Sequence, residues 1–367
     1  MIRELQVESY RSFETFKVLG LSRVNLFTGK NNSGKTSILE AVEIIHSFGD
    51  PSTLIDIAVR RGELLPSDLD SYPGRNEQPV DAAHFFFGHN FRLGDSFSIS
   101  TQNEFEESIV ARVARQSEFE QQPELFHDDD SPLLLAIERL SPRRGKGVLP
   151  VRLSLKGGMG LYDSRRTQRA LFKDESVLKY EFIGPDSLVA SRMAVLWDRV
   201  LRDRKEQAVF RSLQLLYESI EDVIFLNDDR GYRNSRPGIV VGCRGREKRL
   251  PLGSFGEGMR RLLALSMSLA TASGGILLID EIDTGLHYSV LADMWKLVIG
   301  TAIDNDIQVF ATTHSLDCLR GLNEACQANP EYAKEISVQT IDRNLPQSID
   351  MDAGGLATSL SIGIEMR

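Results

Sequence analysis

Cysteine is scarce in this sequence. Cys243, Cys318 and Cys326 are three thiols in 367 residues, an odd and scattered set without metal-binding spacing. That excludes a disulfide framework or a zinc module and predicts a reduced, cytoplasmic protein. An excess of positive charge is also lacking: 43 Lys and Arg stand against 52 Asp and Glu, a net −9. Bulk attraction to a polyanion is therefore not built in, and only local basic faces remain available to nucleic acid. The start, MIRELQVESYRSF, is charged from its third residue and does not read as a signal peptide. Uncharged runs of bilayer length reduce to one, the 18 residues Leu262 to Ile279. It is rich in Ser and Thr, is broken by Gly274-Gly275 and runs into Asp280-Glu281, so no membrane span or membrane partner is expected. There is no internal repeat or long low-complexity tract. What remains is ordinary globular composition, 41% hydrophobic and 26% charged, in a chain long enough for one large domain or two ordinary ones.

Pattern divides the chain into three. The first fifty residues read as a compact α/β unit: an alternating segment Ile2 to Ser9, an apolar strand Val24 to Phe27, a glycine-bounded loop, then a helix from Lys35 to about Ser47. Residues 51–222 carry turn signals and short alternating runs such as Ser96 to Thr101 and Val148 to Leu155, then two helical patterns from residue 186. A hairpin is predicted from Val223 to Leu226 and Gly238 to Val241, and from Pro251 strong α/β patterning returns. The expected fold class is α/β, with a nucleotide-binding core formed by residues 1–50 and 223–367 and interrupted by an inserted α+β region, 51–222, that carries a helical arm.

Four segments carry chemistry. Gly29-Lys30-Asn31-Asn32-Ser33-Gly34-Lys35-Thr36 matches G-x-x-x-x-G-K-[ST] between a strand and a helix, the context that motif requires. Its glycines let backbone N–H groups converge on phosphate oxygens at a helix N-terminus. Lys35 supplies a mobile charge for the β- and γ-phosphates, and Thr36 a hydroxyl for Mg²⁺. Downstream, Ile276 to Ile279 is an aliphatic run ending in Asp280 and Glu281, as for a buried parallel strand with acids at its carboxyl end. Asp280 fits the metal, and Glu281 fits the general base that polarises the attacking water. Pro251 to Gly258 leads into a helical run from Met259, with Ser254 lying 26 residues before Asp280, so Ser254 and Gly256 offer a second anion nest that a head-to-tail partner could use. Gln308 to Ser315 reads as a strand ending at His314, 34 residues after Asp280, where an imidazole can report a γ-phosphate.

The order of these motifs resembles the ABC-type ATPases of the SMC and RecF group, and the wording is similar to the AAA family ATPases related to the OLD (overcoming lysogenization defect) proteins. The matching segments are Tyr10-Arg11-Ser12-Phe13, Gly29 to Thr36, Ser254 to Gly258, Ile279 to His287 and Gln308 to Ser315. The resemblance covers about half the chain and implies ATP and Mg²⁺ as ligands. It implies that Gly29, Asn31, Asn32, Ser33, Gly34 and Lys35 bind nucleotide, that Thr36 and Asp280 hold the metal, and that Glu281 is the base. It implies His314 as switch, Asp283 in the D-loop, Ser254 and Gly256 on a partner's nucleotide, and Arg11 near the base and phosphates. Gln102 is the candidate for a Q-loop glutamine, which has no motif of its own here.

Long OLD proteins carry a TOPRIM nuclease domain after this ATPase. Only 52 residues follow Ser315 here, and Asp350-Met351-Asp352, although it spells D-x-D, reads as a strand and turn. The expectation is a stand-alone ATPase that assembles with itself and acts as the sensor of a separate TOPRIM-like nuclease, in defence against phage. The alternative is a DNA-maintenance ATPase of RecF or SMC type that clamps DNA directly. Its candidate surfaces are Arg143-Arg144-Lys146, Arg165-Arg166-Arg169, Arg199-Arg202-Arg204-Lys205 and Arg244-Arg246-Lys248-Arg249, although interleaved acids also fit ordinary solvated faces. A transporter motor lacks the membrane-facing surface it would need.

Overall fold

The computed structural model describes residues 1–66, 78–102, 106–119, 133–142, 145–154, 156–160, 180–186, 188–226 and 238–362. The chain forms two compact units. The first takes residues Met1–Gly20, Asn32–Leu178 and Asp342–Ser348, and the second Leu21–Asn31, Lys179–Ile341 and Ile349–Arg367.

The first unit is built on an antiparallel sheet. Its strands are β1 (Glu4–Tyr10), β2 (Phe13–Val18), β5 (Ser96–Gln102), β6 (Glu106–Arg115), β7 (Leu133–Ser141) and β8 (Gly145–Leu153), in the order β2-β1-β5-β6-β7-β8. Two short strands, β4 (Val80–Asp81) and β9 (Gly158–Met159), pair separately. β1 alternates buried Leu5 and Val7 with exposed or half-buried neighbours, and β5 does the same with Phe97 and Ile99, the period of a sheet with one apolar face. Helix α1 (Lys35–His46) lies against β5 and β6 and buries Ile38, Leu39, Val42 and Ile45. Helix α2 (Pro51–Arg61) comes next, capped by Asp50, whose carboxylate accepts from the Ser52 N–H, with Pro51 at the first helical position.

The second unit holds a mostly parallel sheet of β3 (Val24–Thr28), β10 (Tyr180–Ile183), β14 (Ile276–Ile279), β15 (Gln308–Thr312), β16 (Ile336–Thr340) and β17 (Ile349–Met351), in the order β10-β14-β15-β3-β16-β17. Only β17 runs antiparallel among these. β3, β14 and β15 are buried at every position; β14 is a continuous aliphatic run, while β3 and β15 also bury polar Asn25, Thr28, Gln308 and Thr312. The predicted hairpin is present as β11 (Ile220–Leu226) and β12 (Gly238–Cys243), joined by β13 (Leu250–Pro251). The uncharged stretch from Leu262 is the body of a helix leading into strand β14. The helices are α3 (Ala190–Arg202), α4 (Glu206–Leu213), α5 (Glu257–Thr271), α6 (Leu291–Asp304), α7 (Leu316–Ala328) and α8 (Ala353–Ser361).

Residues 51–222 are divided between the units. β10 adds to the parallel sheet because its backbone pairs in register with β14, Tyr180 opposite Ile276 through Ile183 opposite Ile279. Helices α3 and α4, the expected arm, pack Leu196, Val200, Val209 and Leu213 into the same core as α5, at about 1.5–3 kcal/mol for each large apolar side chain fully buried. Residues 1–20, read with the nucleotide core in sequence, contribute β1 and β2 to the first unit's antiparallel sheet.

Candidate nucleotide site

In the second unit, β14, β15 and β3 are adjacent and parallel, with Ile279 opposite Ala311 and Thr312 opposite Phe27. Their carboxyl ends therefore line one edge of the sheet, the place where α/β folds bind ligands. Gly29 comes directly after β3, Asp280 and Glu281 after β14, and Thr313 and His314 after β15. Asp280 is buried, and its Oδ1 accepts a 2.6 Å hydrogen bond from the Thr312 hydroxyl. The same hydroxyl oxygen accepts the Glu281 N–H at 2.8 Å. Glu281 has φ 52, a left-handed conformation that costs a non-glycine residue roughly 1–2 kcal/mol and turns its side chain away from the line of the strand. Its half-exposed carboxylate accepts from the Thr284 hydroxyl at 3.2 Å and lies 3.6 Å from His314 Nε2. Asp283 accepts from the Thr313 hydroxyl at 2.7 Å.

The loop Gly29 to Gly34 leaves β3 in the second unit and enters α1 in the first. Ser33 and Lys35 are buried, and Gly34 stands at the helix N-terminus with φ 100. A Cβ there would fall 2.3 Å from Phe13 Cζ, so the buried Phe13 ring lies directly on the glycine and leaves no room for a side chain. Arg11, expected near base and phosphates, is buried among acids of the first unit. Its two terminal nitrogens donate to Glu63 at 2.7 and 3.2 Å. Its Nε–H points at the Tyr10 hydroxyl, 3.3 Å away, so the 2.9 Å approach to Glu40 is charge attraction and not a directed hydrogen bond. Glu40 also accepts from Arg61 Nε at 2.6 Å, and Glu43 pairs with Arg60.

The signature segment opens α5. Ser254 lies exposed in a short 3₁₀ turn, Leu252–Phe255, and Gly256, at φ 85, occupies the N-cap. No side chain caps this helix among the described residues, which leaves its first N–H groups available to an anion. Gly258 touches the D-loop: a Cβ on it would fall 2.7 Å from the Gly285 carbonyl oxygen.

Arg261, one turn further along α5, carries no motif in the sequence. It is fully buried, and its guanidinium donates to the carbonyl oxygens of Gly184, Asp280 (2.6 Å) and Glu281 (2.7 Å). Burial pushes its pKa down to about 10 against the pull of Asp283, Asp280 and Glu281, so it stays charged at neutral pH. Its sequence signal is weak, since it is the second of two adjacent arginines, Arg260-Arg261, on the first turns of the helix, next to the apolar run from Leu262.

Gln102 is at the exposed end of β5. Asp350 accepts from Ser337 and Gln339, and Asp352 caps α8, the strand-and-turn arrangement expected of D-x-D. No cluster of three or more His, Cys, Asp or Glu suited to a metal occurs among the described residues. Of the basic clusters, Arg199 pairs with Glu181, Lys205 donates to the Ala270 carbonyl, Arg244 pairs with Glu221 and Arg249 with Asp222. Arg143, Arg144, Arg165, Arg166 and Arg169 lie outside the described residues. No helix among the described residues is long and apolar enough to cross a membrane.

Comparison with known proteins matches residues 24–319 to the family described as "AAA domain, putative AbiEii toxin, Type IV TA system". The chain belongs to this family. Its described residues have an α/β architecture around a mostly parallel sheet. An "ATP/GTP phosphatase" of Helicobacter pylori is 20% identical over 344 residues, covering 88% of each chain. The "DNA replication and repair protein RecF" of Lactococcus lactis subsp. cremoris is 23% identical over 366 residues, covering 88% of this chain and 95% of that one. Among solved structures, the SMC head bound to the C-winged helix domain of ScpA aligns over 96% of this chain and 97% of that one at 14% identity, with a TM-score of 0.47.

Proposed function

We propose that this protein binds and hydrolyses ATP and that ATP joins two copies head to tail. The observation that carries the reading is the edge formed by Asp280, Glu281 and His314, at the carboxyl ends of strands adjacent to the one that feeds the Gly29–Thr36 loop. In this reading Gly29 to Gly34 hold phosphate oxygens with backbone N–H groups, and Lys35 adds a charge to the β- and γ-phosphates. The hard oxygen donors Thr36 and Asp280 suit Mg²⁺, and the buried Asp280 carboxylate is already oriented through one oxygen by Thr312. Mg²⁺, when bound there, supplies neutralisation of phosphate charge. Glu281 takes the proton of the attacking water, and His314, 3.6 Å away, can share that carboxylate and face the γ-phosphate. Ser254 and the uncapped N-terminus of α5 complete the site of the partner copy. Binding thus favours a closed pair and hydrolysis releases it.

For biological role, the reading is a cytoplasmic sensor subunit for a separate TOPRIM-like nuclease in anti-phage defence, resting on the OLD-like wording of the motifs. The second reading, a clamp on DNA, is favoured by the likeness to the Lactococcus RecF protein. The ion pairs that occupy Arg199, Arg244 and Arg249 weigh against a ready-made basic face. Affinity purification of Glu281→Gln from native cells, with ATP and Mg²⁺, separates the two. A TOPRIM-like protein without nucleic acid supports the sensor, and DNA that elutes steeply with salt supports the clamp.

A further inference from the structure

The Asp280-Glu281 peptide is gripped from both sides by residues that no motif assigns. Arg261 Nη2 reaches the carbonyl oxygens of Asp280 and of Glu281 together, at 2.6 and 2.7 Å. Successive carbonyls of a pleated strand point to opposite sides, so one nitrogen can reach both only where the chain leaves the strand conformation. Glu281, at φ 52, is where it leaves. The same guanidinium donates to the Gly184 carbonyl just beyond β10, which fixes the group against the sheet edge. From the other side the Thr312 hydroxyl accepts the Glu281 N–H and donates to Asp280 Oδ1. Both residues are essentially fully buried, so neither can be a contact of solvent or of a partner copy. Arg261 also sits on α5, whose N-cap is Gly256 and whose first turn approaches the D-loop, Gly258 against Gly285.

We propose that Arg261 and Thr312 are positioning residues that hold Glu281 in its left-handed conformation, with its carboxylate beside His314, and that Arg261 thereby ties the base to the helix whose N-terminus serves the partner's nucleotide. The inference rests on the reading of Glu281 as the base. Its consequence is that displacement of α5 moves the Glu281 backbone directly, through a rigid fork rather than through flexible side-chain packing. A base displaced by about 1 Å loses on the order of a hundredfold in rate.

The test measures ATP turnover and, separately, affinity for a fluorescent ATP analogue. Arg261→Gln and Thr312→Val should each lower kcat by about 10–100-fold, with analogue affinity within about threefold of wild type. Thr312→Ser, which keeps the hydroxyl, should return to within about threefold of the wild-type rate. Arg261→Gln combined with Glu281→Gln should be no slower than Glu281→Gln alone, because a residue that acts through Glu281 has nothing left to position. Wild-type kcat in both Arg261→Gln and Thr312→Val, beside an inactive Glu281→Gln, overturns the proposal while leaving the base in place. Wild-type turnover by Glu281→Gln overturns the base itself. Should circular dichroism show Arg261→Gln unfolded, the near-isosteric Thr312→Val and Thr312→Ser pair decides. Equal rates in that pair overturn the proposal, as does a hydroxyl-dependent rate restored by excess Mg²⁺, since Thr312 also holds Asp280; a hydroxyl-dependent rate with unchanged Mg²⁺ dependence upholds it.

Discussion

Arg11→Met separates two accounts of the Tyr10-Arg11-Ser12-Phe13 motif. The substitution keeps an unbranched stem and removes the guanidinium. In the structure that group makes a two-pronged bond to Glu63 and stands 2.9 Å from Glu40, with Arg11 and Glu40 each 2% exposed and Glu63 11%. Its loss leaves Glu63 buried without this partner and Glu40 with Arg61 as its remaining hydrogen-bonded cation. Breaking a buried pair by removing one partner costs about 3–5 kcal/mol, much of it from the carboxylate left behind. At about 2–4 °C per kcal/mol, the unfolding midpoint should fall by about 6–20 °C. Adding Glu63→Gln replaces the stranded charge with an amide and should restore about 1–3 kcal/mol. Thermal melts by circular dichroism, without and with ATP, measure both quantities. A variant that melts like wild type but binds ATP more than about tenfold more weakly would refute this reasoning and return Arg11 to the nucleotide, as the resemblance implies.

Local geometry has other measurable consequences. Gly258→Ala places a methyl 2.7 Å from a backbone oxygen, so it should cost about 1–3 kcal/mol and abolish ATP-dependent pairing in light scattering while single-copy nucleotide binding persists. Asp50→Ala removes the cap of α2 and should cost about 1 kcal/mol in denaturant unfolding, and Asp50→Asn should recover most of it. Cys243, Cys318 and Cys326 are all buried, and burial pushes the Cys318 thiol far above its ordinary range and Cys326 up to about 11. A thiol reagent at pH 8 should therefore label none of them rapidly in the native protein and all three after unfolding.

The parallel core was largely legible in the sequence. The continuous apolar run Ile276 to Ile279 declares a strand buried on both faces, the mainly apolar Val24 to Phe27 a second strand, and the P-loop motif places a glycine-bounded turn and a helix directly after the latter. The pairing of β1 was not legible. Its alternation specifies which face is buried but not which strand lies beside it, and its neighbour β5 is some ninety residues away. β10 carries no sequence signal because four residues are too few for a period, and its place comes from backbone pairing with β14. At the site, Asp280, Glu281 and His314 were visible because their types and spacing carry chemistry. Arg261 was not, because its partners are main-chain carbonyls, and carbonyls leave no trace in a side-chain pattern. Arg11 was visible as a motif, while its acids on α1 and after α2 come together only in the folded unit.

The most direct test of the central claim is complementation between two inactive variants. Lys35→Ala removes the phosphate-binding charge from its own copy, and Ser254→Arg blocks the contact offered to a partner. Each alone should hydrolyse ATP at background rate. Mixed in equal amounts, half the pairs are heterologous and each of those holds one intact composite site, so about a quarter of the wild-type rate should return if sites act independently. Recovery to that level establishes an ATP site completed by a second copy. No recovery at any mixing ratio, with both variants folded and able to pair, or full activity of Ser254→Arg alone, would contradict it.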